Sequence, residues 1–255
     1  MYLIINLYYK LKYIFKGVLS ILYLISTFKL LKYSKIQNQI IDSIKKNIDS
    51  SKNIIIFSGG KSNTHIINKE FENSIIFLNS YNSIKNLSPS KKELILKKTV
   101  VYYQAPFHHP INSEDYIRSV NEICDNLNEN AICIYNKSLK NTYRRNSLNE
   151  FEFRALSTLS TFGFLKFSNI TGALFLINIS IFLKLKNLKV IGFDANWFQS
   201  EIKNFGRGSF DNKNFLKKFL FNYEILYQIK IVKDLIKKSN LNIEINKNSW
   251  FNLSI

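Results

Sequence analysis

Short apolar runs separated by polar residues follow one another from residue 53 onwards. The runs are continuous, rich in β-branched and aromatic residues, and too short for helices, so they predict buried strands. The predicted strands are Asn53–Phe57, Ser74–Leu78, Thr99–Tyr103, Ala131–Tyr135, Leu188–Phe193 and a short last strand at Leu241–Ile245. Apolar residues that do not alternate with polar ones indicate burial on both faces, which is typical of a parallel sheet covered by helices.

Longer stretches with helical character lie between these runs. They predict helices at Glu114–Leu127, Thr171–Leu185 and Phe215–Lys238. The alternation of strands and helices predicts an α/β, Rossmann-like domain with a mostly parallel sheet flanked by helices. Because no internal repeat and no long linker divides it, we expect one domain over residues 36–255.

The N-terminal stretch has a different character. Leu, Ile, Tyr and Phe dominate it, and Lys10, Lys12, Lys16, Lys29, Lys32 and Lys35 all precede the first acidic residue, Asp42. Its longest uncharged run, Gly17–Phe28, has 12 residues, whereas a bilayer-spanning helix needs about 20. The lysines do not gather on one side of a helical wheel, so the pattern is not that of a clean amphipathic helix. We expect residues 1–35 to form a hydrophobic helical segment that associates with the cytoplasmic face of the membrane; a helical hairpin packed on the domain is the alternative.

Composition narrows the class of protein. The 46% hydrophobic and 15% aromatic residues exclude a disordered or fibrous chain. Two cysteines, Cys124 and Cys133, are too few for a disulfide scaffold or a cysteine-based zinc site. The net charge of +18 comes from lysines spread along the chain, without an arginine-rich stripe. An anionic substrate or a membrane surface therefore accounts for this charge better than a nucleic acid does.

Glycines mark the edge of the predicted sheet at which ligands bind. The first strand is followed by Ser58-Gly59-Gly60-Lys61-Ser62-Asn63, a turn whose glycines let backbone N–H groups approach a phosphate. A Walker A loop would require a glycine where Ile55 stands, and the GxGxxG dinucleotide pattern is also missing. The sequence leaves two interpretations open: a tight turn without a ligand, or a nucleotide-phosphate loop of another kind.

A second group of residues runs from Asn169 to Phe198, with the sequence NITGALFLINISIFLKLKNLKVIGFDANWF. Thr171 can cap a helix that Gly172 opens, and the following strand ends in Gly192-Phe193-Asp194. This order resembles the small bacterial sialyltransferases that modify lipooligosaccharide, and the wider Rossmann-like set that includes pterin diphosphokinase-like proteins. The resemblance is close over Thr171–Asp194 and loose over the rest of residues 52–250.

The resemblance implies a set of donor-binding residues. The first turn and the asparagine after the second strand would hold a CMP-activated sugar, and the residues that open the late helix would contact its sugar or cytidine. Arg207, between Gly206 and Gly208, is added from its charge, because it could neutralise a leaving phosphate. The expected donor-binding residues are Ser58, Gly59, Gly60, Ser62, Asn79, Asn169, Thr171, Gly172 and Arg207.

The expected catalytic residues depart from the family pattern. The family tyrosine that supports the leaving phosphate falls on Asn196, and the loop Asn204–Tyr223 lacks the family's catalytic histidine. His108 and His109 follow the Thr99–Tyr103 strand at the same sheet edge, so either could act as the general base. Asp194, at a strand end, could be catalytic or could only brace neighbouring loops.

The sequence therefore predicts a bacterial glycosyltransferase that is sialyltransferase-like. It would move a sugar from a CMP-activated donor to a cell-surface glycan acceptor, such as lipooligosaccharide or polysaccharide. No DxD pair follows any predicted strand, which favours a metal-independent reaction without a cofactor. A pterin or nucleotide diphosphokinase-like enzyme and a non-catalytic membrane-associated relative are the alternatives.

Overall fold

The structure is a computed structural model of the chain. It describes residues 7–8, 10–11, 14–15, 18, 39, 41–49, 52–60, 62–63, 69–80, 83–104, 114–135, 150–152, 172–194, 215–246, 249 and 252.

Seven strands form one sheet in the described part of the chain. Every neighbouring pair is parallel, and the spatial order is β5-β4-β3-β2-β1-β6-β7. The prediction of an α/β protein with a parallel sheet is thereby confirmed. The strands are β1 (Asn53–Phe57), β2 (Ser74–Asn79), β3 (Thr99–Gln104), β4 (Ile132–Tyr135), β5 (Glu150–Glu152), β6 (Asn187–Ile191) and β7 (Asn242–Ile245).

Helices cover both faces of this sheet. They are α1 (Lys69–Glu72), α2 (Pro89–Lys98), α3 (Glu114–Asn126), α4 (Gly172–Phe182) and α5 (Phe215–Lys238), and residues 41–47 are also helical. The three helices predicted from the sequence are present, with ends that differ by up to three residues. The short strand β5 and the helices α1 and α2 were not predicted.

Alternate residues of each central strand belong to two separate hydrophobic cores. In β1, Ile54 and Ile56 pack with α4, α5 and the helical residues 41–47, whereas Ile55 and Phe57 pack with α1, α2 and α3. This arrangement explains why the strand sequences are apolar without alternation: both faces are buried. Ile44, which is fully buried, ties residues 41–47 to the first core.

Helix α4 is apolar on every side because it is enclosed. All residues from Gly172 to Ser180 are buried, and the helix packs on β1, β2, β3 and α5. Its end comes earlier than the predicted Leu185. Lys184 takes a left-handed conformation (φ 58°), while the N–H of Leu185 donates to Ser180 O at 3.1 Å and that of Lys184 donates to Ile181 O at 3.0 Å. These bonds form a Schellman motif, which closes a helix.

Strand β6 also ends earlier than predicted. The expected strand ran to Phe193, but Gly192 has φ +75°, a conformation that glycine adopts at little cost and that takes the backbone out of the strand. The chain therefore bends at Gly192, and Phe193 and Asp194 lie beyond the strand end. This bend shapes the candidate site.

The described residues of the N-terminal segment are helical. The large apolar side chains among these described residues are exposed to solvent: Leu7, Tyr8, Leu11, Ile14, Phe15 and Val18. Among the helices that the structure describes, none combines the length and the hydropathy needed to cross a bilayer.

Candidate functional site

The order of the strands reverses next to β1. From β1 the chain builds β2 to β5 on one side, and then returns to place β6 and β7 on the other. Helices α1, α2 and α3 cover one face of the sheet, and α4 and α5 cover the opposite face. In open parallel sheets, ligands bind at the carboxyl ends of the strands where such a reversal opens a crevice. The candidate site is therefore the edge formed by the ends of β1, β2 and β6.

Asp194 joins the turn after β1 to the bend after β6. Its Oδ2 accepts a hydrogen bond from Ser62 N at 2.6 Å, and its Oδ1 accepts one from Ser62 Oγ at 2.7 Å. Ser62 Oγ in turn accepts a hydrogen bond from Gly192 N at 3.0 Å. Asp194 is only 4% exposed, so its carboxylate replaces its lost hydration with these two protein donors.

Two glycines let these loops approach each other. Gly60 N donates to Gly192 O at 2.6 Å, and a Cβ on Gly60 would lie 2.5 Å from Gly192 O and 2.6 Å from Asp194 Oδ2. A Cβ on Gly192 would overlap the carbonyl of Ser58. Side chains at either position would separate the two loops. Gly60 and Gly192 thus serve close backbone packing at this edge.

Asn79, at the end of β2, connects the first turn to helix α4. Its Nδ2 donates to Ser58 Oγ at 2.9 Å. Its Oδ1 is buried, has no hydrogen-bond donor among the described residues, and faces Gly172, where a Cβ would overlap it. The first residue of α4 is therefore in direct contact with the side-chain amide of Asn79. Three of the expected donor-binding residues, Ser58, Asn79 and Gly172, meet here.

Further polar residues at this edge were not predicted from the sequence. Asn63 Nδ2 donates to Ser58 O at 3.1 Å and to Ser83 O at 2.9 Å, and Ser83 Oγ donates to Asn79 O. Ser80 has a positive φ of 64° and its N–H donates to Tyr103 O at 2.8 Å. These bonds tie the loops after β1 and β2 to each other and to β3. The only sequence signal was their position directly after strands.

Tyr103 packs against the first residues of α4. Its ring stacks on that of Phe175, with centroids 4.4 Å apart, and a Cβ on Gly172 would lie 3.0 Å from Tyr103 Cδ1. Complete burial raises the pKa of the Tyr103 phenol far above its ordinary value. The phenol therefore stays neutral at physiological pH and cannot act as a base.

The chain beyond β7 returns to the candidate site. Ser249 pairs with Asp194 in an antiparallel bridge, and Ser249 Oγ donates to Phe193 O at 2.9 Å. Ser249 is 2% exposed. No local sequence pattern marks this contact, because Ser249 is a lone serine 56 positions after Phe193. Ser249 braces the loop that carries Asp194.

Several predicted site residues lie outside the described part of the chain. They are His108, His109, Asn169, Thr171, Asn196 and Arg207. Their predicted roles stay predictions. Within the described ranges, no group of three or more His, Cys, Asp or Glu side chains is placed to hold a metal ion.

The geometry restricts what the first turn can bind. The N–H of Gly60 and both donors of Ser62 are already engaged with Gly192 O and with Asp194. A phosphate at these groups would also face the Asp194 carboxylate, and like charges at such short range repel. In this conformation, Gly60 and Ser62 build the turn instead of offering hydrogen-bond donors to an anion. Gly59, at the tip, is exposed.

Comparison of the chain with protein-family models, with curated proteins and with solved structures gives no match.

Proposed function

We propose that this chain is a sialyltransferase-like glycosyltransferase with a Rossmann-like domain. It moves a sugar from a CMP-activated donor to a cell-surface glycan, and the acceptor is lipid-linked and reached at the cytoplasmic face of the membrane. One observation carries the proposal. Four of the expected donor-binding residues, Ser58, Gly59, Asn79 and Gly172, lie together where the strand order reverses.

The geometry suggests how the donor lies. The nucleoside rests over the exposed Gly59, because the Asp194 carboxylate disfavours a phosphate beside Gly60 and Ser62. The phosphate lies towards the N-terminal end of α4, where the helix dipole favours an anion. Arg207 is assigned to the same phosphate from its charge.

The reaction is a direct displacement at the anomeric carbon. A base, His108 or His109, takes the proton of the acceptor hydroxyl, and the oxygen attacks the anomeric carbon. The bond from that carbon to the phosphate oxygen breaks, and CMP leaves with the electron pair. The protein contributes mainly by holding donor and acceptor in line and by stabilising the charge that develops on the phosphate.

A second candidate is a non-catalytic relative that keeps this edge for structural reasons. The bonds among Ser58, Ser62, Asn79 and Asp194 favour it, because they satisfy much of the polar edge without a ligand.

Nucleotide-dependent stabilisation of the full chain tests the proposal. CMP, UDP, GDP and ATP are compared with and without Mg²⁺ in thermal unfolding. A ligand at about 100 times its Kd adds roughly 2.7 kcal/mol to stability. We expect CMP to raise the Tm without metal. Asn79→Ala should reduce this response, whereas Asn240→Ala, which removes an exposed asparagine before β7, should retain it.

Other outcomes separate the alternatives. A response to ATP with Mg²⁺ alone would replace the transferase with a diphosphokinase-like enzyme. If none of the four nucleotides raised the Tm of a chain that unfolds cooperatively, the result would favour the non-catalytic relative.

A further inference from the structure

An exposed apolar stripe runs along the N-terminal helix. Its members are Leu7, Tyr8, Leu11, Ile14, Phe15 and Val18, each between 43% and 64% exposed. Successive members of the row Leu7, Leu11, Ile14 and Val18 are three or four residues apart, so their side chains share one face of the helix. A continuous row of large apolar side chains in water is unusual for a soluble surface and marks a binding face.

The charge of the segment indicates what covers this stripe. Lys10 is exposed on the same helix. The sequence up to residue 41 contains six lysines and no acidic residue. Helices that combine an apolar face with basic residues lie in the plane of an anionic lipid surface, with the apolar side chains among the acyl chains. A second copy of the same segment would bring like charges together, which disfavours self-association.

We propose that the helix that carries Leu7, Tyr8, Leu11, Ile14, Phe15 and Val18 lies flat on an anionic membrane surface, with Leu11, Ile14, Phe15 and Val18 inserted. The distribution of lysines over residues 1–35 did not identify an apolar face of the helix. The exposure of the apolar side chains identifies it. The inference does not depend on the transfer reaction, since it concerns a different part of the chain.

Vesicle co-sedimentation of the full chain tests it. The vesicles are phosphatidylcholine alone, or phosphatidylcholine with about 30% phosphatidylglycerol, which makes the surface anionic. We expect binding to the anionic vesicles to be at least about tenfold tighter, and to weaken at high salt. Leu11→Gln with Phe15→Gln should lower the affinity by about tenfold or more, because two inserted side chains become polar.

Phe182→Gln is the matched control. Phe182 is also an exposed phenylalanine, 37% exposed, at the end of α4, and its replacement should leave vesicle binding unchanged. Equal binding by the wild-type chain and the Leu11/Phe15 variant would overturn the proposal. The proposal would also fail if the wild-type chain bound neither kind of vesicle but formed dimers that the double variant did not form. The Tm response to CMP of the double variant is measured in parallel, so that loss of lipid binding is separated from loss of the nucleotide site.

Discussion

Ser62 and Asp194 are 132 positions apart in the chain, yet two hydrogen bonds join them, from the backbone N–H and the hydroxyl of the serine to the two carboxylate oxygens. This pair connects the loop after β1 with the loop after β6, at the point where the strand order reverses. A buried carboxylate with two donors is a strong local constraint, since hydrogen bonds to charged groups are worth about twice neutral ones.

Breaking this pair should cost stability. Ser62→Ala removes one donor and Asp194→Asn removes the charge, so each should lower the free energy of unfolding by about 1–3 kcal/mol. The double variant should lose less than the sum of the two, with a coupling energy of about 0.5–3 kcal/mol in denaturant unfolding. Asp234→Asn, on the exposed side of α5, is the control. Strictly additive losses would contradict the pairing.

Gly172→Ala should destabilise the protein although alanine is normally better in a helix. The new Cβ would overlap Asn79 Oδ1 and approach Tyr103 Cδ1. We expect a loss of about 1–3 kcal/mol, typical of overpacking. In an Asn79→Ala background the loss should shrink, because the obstructing amide is gone. A stabilisation by Gly172→Ala in the wild-type background would show that the α4 start does not rest on Asn79.

Ser249→Ala should loosen the loop that carries Asp194. The variant loses the hydrogen bond to Phe193 O, for a cost of about 1 kcal/mol, and amide hydrogen exchange should rise at Phe193 and Asp194. Ser239→Ala is a matched control, because Ser239 Oγ also donates to a backbone carbonyl, that of Ile236, at 2.9 Å. It should leave exchange at Phe193 and Asp194 unchanged. Equal exchange there in both variants would contradict a bracing role for Ser249.

Alkaline pH should weaken the fold through Tyr103. Burial raises the pKa of this phenol in the folded protein above its unfolded value of about 10. Its contribution is therefore complete below about pH 10 and is lost as the pH rises further, at about 1.4 kcal/mol per pH unit. Tyr103→Phe should flatten this decline in denaturant unfolding between about pH 9 and 11. If the free energy of unfolding fell equally with pH in the two proteins, the phenol would ionise as readily in the folded state as in the unfolded state.

Alanine at both His108 and His109 should abolish sugar transfer and leave the CMP response intact. A base acts on the acceptor hydroxyl and contributes typically 10²–10⁴-fold to the rate, whereas donor binding uses other residues. Turnover and CMP-dependent Tm are measured on the same protein. The single variants then show which histidine matters. Turnover that survives the double change would remove both histidines from the mechanism.

Much of the sheet could be predicted because burial on both faces requires continuous apolar runs in the sequence. The bounds of strand β1 (Asn53–Phe57) and of helix α5 (Phe215–Lys238) match the prediction. The helix Pro89–Lys98 was missed because it is rich in lysine and buries only Ile95 and Leu96. Strand β5 has three residues and pairs with β4 at the edge of the described sheet, so its sequence carries little signal.

The candidate site was harder to predict than the sheet. Glycine placement indicated the right edge, and parallel strands bring their carboxyl ends together. Strand order does not follow from periodicity, so the contact of Gly60 with Gly192 could not be derived. Asn63, Ser83 and Ser249 act through hydrogen bonds from their side chains to backbone carbonyl oxygens, and such bonds leave no spacing pattern in the sequence.

The strand order has a consequence for how the chain is made. β1 gains β2 as a neighbour soon after both have left the ribosome, but its other neighbour, β6, begins only at Asn187. Until then β1, four of whose five residues become buried, forms a sheet edge with unpaired backbone groups. Unprotected apolar edges pair readily with other chains. Products cut short before β6 are therefore the ones we expect to aggregate, while the complete chain covers this edge itself.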